Sequence, residues 1–354
     1  MSRPDLPMPL NLKGLNAEWI GNALSIRFPG VTVTDSRIID VIPGTTTKVR
    51  VAVKYNQAGL DMGLPGRLIV KGGFEAHSEA MSSAYVAENR FYALVQQHVD
   101  LRSPSCYYAD SDPDSWQSII IMEDLVARGV TFCHPLQTHS FQQVADRLRA
   151  MARYHGQSWN SPEFQPGGVL GNIDIPFTDS VMDYIDFYLS AEQWNRLLAL
   201  PRGAAVPRAF HDREWLREKL LALKKYHEGQ PRSILHGDTH LGNLYIDADG
   251  TPGFFDPQVR QGPWHYEVCY HLIAALDVCD RRRWDRPLLE VYLNALQQQG
   301  ISTPDFDQAW DALRREVVWG LFIFLINEPT FQTEAVNTAY AVRYAMAGLD
   351  WGIV

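Results

Sequence analysis

His236-Gly237-Asp238-Thr239-His240-Leu241-Gly242-Asn243, then ten residues, then Phe254-Phe255-Asp256, is the stretch on which the reading of this chain turns. SILHGDTHLGNLYID (233–247) and PGFFDPQ (252–258) have the composition of short strands and are joined by the turn Ala248-Asp249-Gly250, so a strand pair is expected here. Phosphoryl transfer asks three things of a protein. A group must orient the attacking hydroxyl and take its proton, another must hold Mg²⁺ against the phosphates, and a third must position the phosphate tail. An Asp followed five residues later by Asn, with a second Asp on the next strand, meets the first two needs. Asp238 is the candidate base, and Asn243 and Asp256 offer the hard oxygen atoms that suit Mg²⁺. His236-x-Asp238-x-His240 could instead ligate a metal in a hydrolase. Such a site wants further ligands, and the other histidines recur in no tight motif. His236 is therefore expected to brace the loop through backbone, and His240 to be structural or to line the acceptor side.

Outward from this hairpin, the texture of the chain changes once, near residue 126. The first third is strand-rich: VTVTDSRIIDVI (31–42), KVRVAVKY (48–55), RLIVKGG (67–73) and SWQSIIIMED (115–124), with a further strand if 106–109 pairs. One helix is expected within it, over roughly 78–98. After that, helical periodicity covers roughly 140–158, 179–199, 212–228, 264–279, 285–299, 305–326 and 334–349. The expected class is α+β, with a sheet lobe over 1–124, a helical lobe over 125–354 and a cleft between them. His155 reads as a packed helix residue and Arg281-Arg282-Arg283 as a solvated helix start.

The hairpin and several outlying segments together resemble the aminoglycoside phosphotransferase and ecdysteroid-kinase-like group, relatives of protein kinases. HGDTHLGNLYI is similar to the group's catalytic motif, and Phe254-Phe255-Asp256 to its metal motif. LPGRLIVKGG (64–73) resembles the strand that carries the phosphate-binding lysine, here Lys71. VAENRFY (86–92) resembles the helix that carries its partner, here Glu88, with Glu79 as the rival. IIIMEDL (119–125) resembles the strand entering the adenine hinge, so Glu123 and Leu125 are expected to present backbone and to tolerate side-chain change. GPWHYEV (262–268) and RRR (281–283) are similar to the ecdysteroid-kinase-like members. The resemblance implies a two-lobed protein-kinase-like fold, ATP and Mg²⁺ as cofactors, and transfer of the γ-phosphate to a small-molecule hydroxyl. This chain departs from the pattern in three places. Asp256 is followed by Pro257 where Trp is usual, Glu267 stands where Asp is commoner, and the loop between the first two strands has only Gly44. Thr45, Thr46 and Thr47 remain there as backbone and hydroxyl donors to a phosphate. A nucleotide-binding pseudokinase is the alternative these departures suggest. The protein-kinase motif set is missing, so a protein substrate is not expected.

Composition excludes other classes. Forty-one acids against 32 bases give a formal charge of −9, which argues against a nucleic-acid binder. The four cysteines form no CxxC pair and read as reduced residues of a cytoplasmic protein. The N-terminal stretch reads as no secretory signal, and VVWGLFIFLI (317–326) is too short to span a bilayer. In 174–195, Asp179, Asp183 and Asp186 share one helix face, and Val181, Tyr184, Ile185 and Tyr188 another. An acidic solvated face and an inward aromatic face are expected, which would suit an apolar or aromatic alcohol over an aminoglycoside.

Overall fold

The computed structural model describes residues 6–112 and 114–353. The chain forms two compact units. One runs to His98 and takes in Arg102–Val130; the other comprises Val99–Leu101 with Thr131–Val354.

The first unit is built on an antiparallel sheet of β1 (Val33–Ile42), β2 (Thr47–Tyr55), β3 (Arg67–Gly72), β4 (Cys106–Ser111) and β5 (Ser118–Glu123), in the order β1-β2-β3-β5-β4. Val49, Val51, Val53 and Tyr55 alternate along β2 and all point inward, as period-two patterning requires. β5 lies inside the sheet and is buried on both faces, so its Ile119-Ile120-Ile121 run is continuous rather than alternating. The core joins the inward residues of β2, with Ile119 and Ile121, to Trp19, Ile20, Ala23 and Leu24 of helix Ala17–Ser25. Each fully buried residue of that size contributes roughly 1.5–3 kcal/mol. That helix was not expected. Its start signal is Asn16, whose side chain accepts the Trp19 N–H.

Lys71 follows Val70 on β3, opposite Lys48 of β2 and Ile120 of β5. The helix expected over 78–98 is shorter than its pattern: α-helical turns cover Ser82–Arg90 and a π-helical turn covers Phe91–Val95. The wider turn lets Phe91, Tyr92 and Val95 all be buried.

The second unit is mostly helical. Helix Phe141–Gln157 starts at a capping box between Ser140 and Gln143. Two helices read as single are in fact broken. The 179–199 pattern becomes Asp179–Tyr188 and Ala191–Leu198, because Ser190 caps the second by accepting the Gln193 N–H. The 305–326 pattern becomes Phe306–Arg315 and Val317–Ile326, broken at the buried Glu316. The expected 285–299 helix begins earlier, at Val278, behind the cap Asp277. Among the described residues no helix is long and apolar enough to cross a membrane. Val317–Ile326 is core: only Ile323 of its ten residues is not buried.

The expected strand pair is more divided than its sequence suggests. β6 (Thr131–Phe132), β8 (Leu244–Ile246) and β9 (Pro252–Phe254) form one small sheet. β7 (Ser233–Leu235) pairs instead with β10 (Arg260–Gly262). Residues 236–243, between β7 and β8, leave the ladder because their polar groups bond to helices. Arg281 corrects another expectation. It is 1% exposed, pairs with Asp285 at 3.3 Å and with Asp350, and lies over the Trp351 ring. Only Arg282 and Arg283 of the run face solvent, and Arg282 also bonds Asp350. The 179–188 helix departs as well. Ile185 alone is buried, while Tyr184 and Phe187 remain 42% and 56% exposed, so the aromatic face is only partly covered.

Candidate active site

The loop from His236 to Asn243 is held from both of its ends. Gly237 has φ +85°, and a Cβ there would stand 2.0 Å from the Gln258 carbonyl oxygen, so only glycine fits. Its N–H donates to Glu267 Oε1 at 2.6 Å. Burial keeps the His236 imidazole pKa below its usual value. The neutral ring donates from Nε2 to the Phe255 carbonyl at 3.0 Å, and its Nδ1 faces the Asp238 N–H at 3.4 Å. His236 thus braces the loop through backbone, as its sequence position suggested. His240 does so too, with Nδ1 accepting the Gly242 N–H at 3.0 Å. With both nitrogens of His236 and one of His240 committed to backbone, the motif is not arranged as a metal-binding pair.

Asp238 stands at the centre of this loop with its side chain 29% exposed. Asn243 donates from Nδ2 to both the carbonyl and Oδ2 of Asp238, at 3.0 and 2.9 Å. The Tyr270 hydroxyl donates to Asp238 Oδ1 at 3.1 Å. His240 Nε2 lies 3.5 Å from Oδ2. Oδ1 therefore has one close donor and Oδ2 one close donor with His240 beyond it, and lone-pair capacity is left for an incoming hydroxyl.

Since Nδ2 of Asn243 serves Asp238, its amide oxygen is the atom left to meet a cation. The strand register brings Asp256 to the same end. Leu244 pairs with Phe254, the Phe255 N–H donates to the Asn243 carbonyl at 3.0 Å, and Asp256 follows. Asp256 has φ +54°, a left-handed conformation that is costly for a residue with a Cβ and more so before proline. Strain of this kind, on the order of 1–3 kcal/mol, persists only where neighbours over-determine the backbone. Here the Phe255 carbonyl is held by His236, and the Gln258 N–H donates to the His236 carbonyl at 2.8 Å. An amide oxygen and a carboxylate fit the oxygen-only preference of Mg²⁺.

Helix Trp264–Ala275 supplies grips that the sequence reading did not name. Besides Glu267 and Tyr270, His271 Nδ1 bonds the Thr239 carbonyl at 2.9 Å. Glu267 is itself anchored: it accepts from Tyr154 and from His155 Nε2 at 2.8 Å, and His155 Nδ1 meets the Tyr292 hydroxyl at 2.7 Å. These neighbours hold the Glu267 carboxyl below its usual pKa although burial opposes it. The legible signal was the polar residues inside the apolar helix WHYEVCYHLIAA, each obliged to find a partner when buried. From the helix Glu334–Asp350, the Tyr340 hydroxyl accepts the Leu241 N–H at 3.1 Å.

In the first unit, Lys71 and Glu88 are each 2% exposed and form an ion pair through Lys71 Nζ and Glu88 Oε1. The loop after β1 is tied down through its carbonyls. His77 Nε2 reaches Gly44 O and Thr45 O at 3.1 and 3.3 Å, and the Tyr85 hydroxyl donates to Thr45 O at 2.5 Å. Thr46 belongs to the same loop, whereas Thr47 does not. Thr47 is the first residue of β2, is 1% exposed, and donates its hydroxyl to Glu75 Oε1 at 3.3 Å. Tolerance at Glu123 and Leu125 is also corrected. Glu123 Oε2 accepts from the Ser105 N–H and from Arg128, each at 3.2 Å, and Leu125 is 6% exposed.

A second cluster of possible metal ligands comprises His227, His265 and Glu316, whose ligand atoms lie within 4.8 Å of one another. His227 Nε2 and His265 Nδ1 both meet Glu316 Oε1, at 2.7 and 2.6 Å. With both rings donating, this is a hydrogen-bonded triad joining two helices to the break at Glu316. A metal here would turn the outer nitrogens, His227 Nδ1 and His265 Nε2, into buried N–H donors, and neither has an acceptor.

The chain matches the family model described as the phosphotransferase enzyme family over residues 66–314. Among solved structures it is similar to a candidate aminoglycoside phosphotransferase of Ralstonia eutropha JMP134. That likeness has a TM-score of 0.53 and 13% identity, covering 94% of this chain and 97% of the other. It is also similar to the spectinomycin phosphotransferase APH(9)-Ia, solved with ADP and spectinomycin. There the TM-score is 0.50 and the identity 11%, covering 96% of this chain and 99% of the other. Comparison with curated proteins gives no match. The structural likenesses show the fold, the protein-kinase-like one that the motifs implied.

Proposed function

Because the chain belongs to the phosphotransferase enzyme family, we propose that it moves the γ-phosphate of ATP to a hydroxyl group of a small molecule. The observation that carries this reading is the Asp238 carboxylate, partly exposed and held on both oxygens by Asn243 and Tyr270. A base so fixed can orient a hydroxyl for in-line attack. The acceptor O–H bond breaks with its proton passing to Asp238. The acceptor oxygen forms a bond to phosphorus, and the bridging P–O bond breaks with its electrons leaving on ADP.

Asn243 and Asp256 would hold Mg²⁺, which offsets charge on the phosphate oxygens. Lys71, kept in place by Glu88, is assigned to the α- and β-phosphates. Gly44, Thr45 and Thr46 are assigned to the phosphate-facing loop, and the backbone at Glu123 and Leu125 to adenine. ADP in the spectinomycin phosphotransferase agrees with an adenine nucleotide. All four cysteines are free thiols, which suits a reducing compartment such as the cytoplasm.

The test is ADP release from MgATP with a panel of alcohols running from aminoglycosides to flat apolar alcohols. Wild type should release ADP with at least one acceptor, and Asp238→Asn should release it roughly 10²- to 10⁴-fold more slowly. No release with any acceptor would remove the reading. The partly exposed rings of Tyr184 and Phe187 favour an apolar or aromatic alcohol.

A further inference from the structure

Helix Trp264–Ala275 grips three consecutive loop residues with three of its own. Glu267 holds Gly237, Tyr270 holds Asp238, and His271 holds Thr239. Positions i, i+3 and i+4 share one helix face, so the loop is registered residue by residue along it. Two of these contacts go to backbone. Only Tyr270 touches the carboxylate.

We infer that Tyr270 is a positioning residue for phosphoryl transfer, setting the Asp238 carboxylate so that its remaining lone pair meets the acceptor hydroxyl. The inference rests on the function proposed above. A carboxylate bonded through one oxygen can still swing about that contact. Asn243 holds only Oδ2, and Tyr270 supplies the second fixed point at Oδ1. The phenol is itself immobile. Tyr270 is 5% exposed, stacks on Phe324 with centroids 5.7 Å apart and planes 19° apart, and accepts a 2.6 Å bond from the Tyr344 hydroxyl at its carbonyl. Phe324 packs in turn on Tyr340, 4.2 Å away, whose hydroxyl holds Leu241. One aromatic stack therefore fixes both the carboxylate and the loop after it. A phenol is also the right donor chemically. It orients the base without the positive charge of a lysine or arginine, which would drain its basicity.

Four proteins test this: wild type, Tyr270→Phe, Asp238→Asn and the double variant. Phenylalanine keeps the ring and the stack, so folding should survive. With MgATP and the panel alcohol that wild type uses fastest, Tyr270→Phe should lower kcat roughly 10- to 100-fold, the scale of a misplaced reacting group. The KM for ATP should stay within about twofold. In the Asp238→Asn background the same change should alter kcat by less than about threefold, because a residue acting through Asp238 has nothing left to position. Urea unfolding of the four proteins should show the same non-additivity without any turnover. Wild-type kcat in Tyr270→Phe, or equal falls in both backgrounds, would overturn the inference. A wild type that releases no ADP removes the proposed function and this inference with it, whereas an active wild type with an unaffected Tyr270→Phe overturns this inference alone.

Discussion

At the scale of single residues, the chemistry rests on a few oxygen atoms whose neighbours are already assigned. Asp238→Asn keeps the shape of the loop and removes the proposed base. Turnover should fall by roughly 10²- to 10⁴-fold, the range for general-base catalysis, with nucleotide affinity retained. Wild-type turnover in that variant would place the base elsewhere. Asp256→Ala removes a proposed Mg²⁺ ligand whose strained backbone is held by His236. Thermal-shift titration with ATP should then lose its Mg²⁺ increment, and an unchanged increment would point to another ligand. Lys71→Ala removes the ammonium from a pair in which both residues are 2% exposed. Breaking a buried pair from one side costs about 3–5 kcal/mol, so the urea midpoint should drop sharply. A midpoint unchanged from wild type would show that Glu88 is satisfied without Lys71.

At the scale of elements, the segment from His236 to His240 is neither strand nor helix, with a single 3-10 turn following at Leu241–Asn243, because other elements claim its polar groups. Between β7 and β8 the chain donates to Glu267, accepts from His271 and is capped by Tyr340. Gly237 makes this path possible. Gly237→Ala would set a Cβ 2.0 Å from the Gln258 carbonyl at φ +85°. A loss of about 1–3 kcal/mol is expected in urea unfolding, the cost of overpacking, together with a drop in turnover. Full stability in that variant would mean that the loop can take another path. The two broken helices make the same point. Ser190 ends one pattern through a local cap, whereas Glu316 ends another through partners on distant helices.

At the scale of the whole molecule, each unit has its own core, and the helical unit carries several buried groups that titrate at low pH. Burial, aided by Arg147, lowers the His139 pKa from 6.5 to about 4 and that of His271 from 6.5 to about 3. For both, the unfolded chain takes a proton at a pH where the folded one does not. Stability therefore falls as pH drops below 6.5 toward the folded values. Glu316 acts in the same direction. His227 and His265 outweigh its burial and lower its pKa from 4.5 to about 2, so its contribution is present above 4.5 and is lost as pH falls toward 2. The urea midpoint should hold near neutrality and decline steadily from about pH 6.5 to 3. Glu316→Gln should flatten the lower part of that decline. A midpoint constant from pH 7 to 4 would contradict the burial of these histidines.

What the sequence determined by itself was short-range. The alternation along β2, the caps at Ser140 and Asp305, and the spacing of Asp238, Asn243 and Asp256 are written within a few residues of one another, where backbone geometry alone decides which side chains meet. The ion pair of Lys71 with Glu88 was reached through motif likeness, not through spacing. Tertiary structure decided the rest. Tyr270 lies 32 residues from Asp238, Arg281 lies 69 from Asp350, and His227 lies 89 from Glu316. A polar residue in an apolar helix announces that it needs a partner but not which one, because buried hydrogen bonds are paired by the packing of whole helices. For the same reason Arg281 looked like a solvated charge until Asp285, Asp350 and Trp351 closed around it.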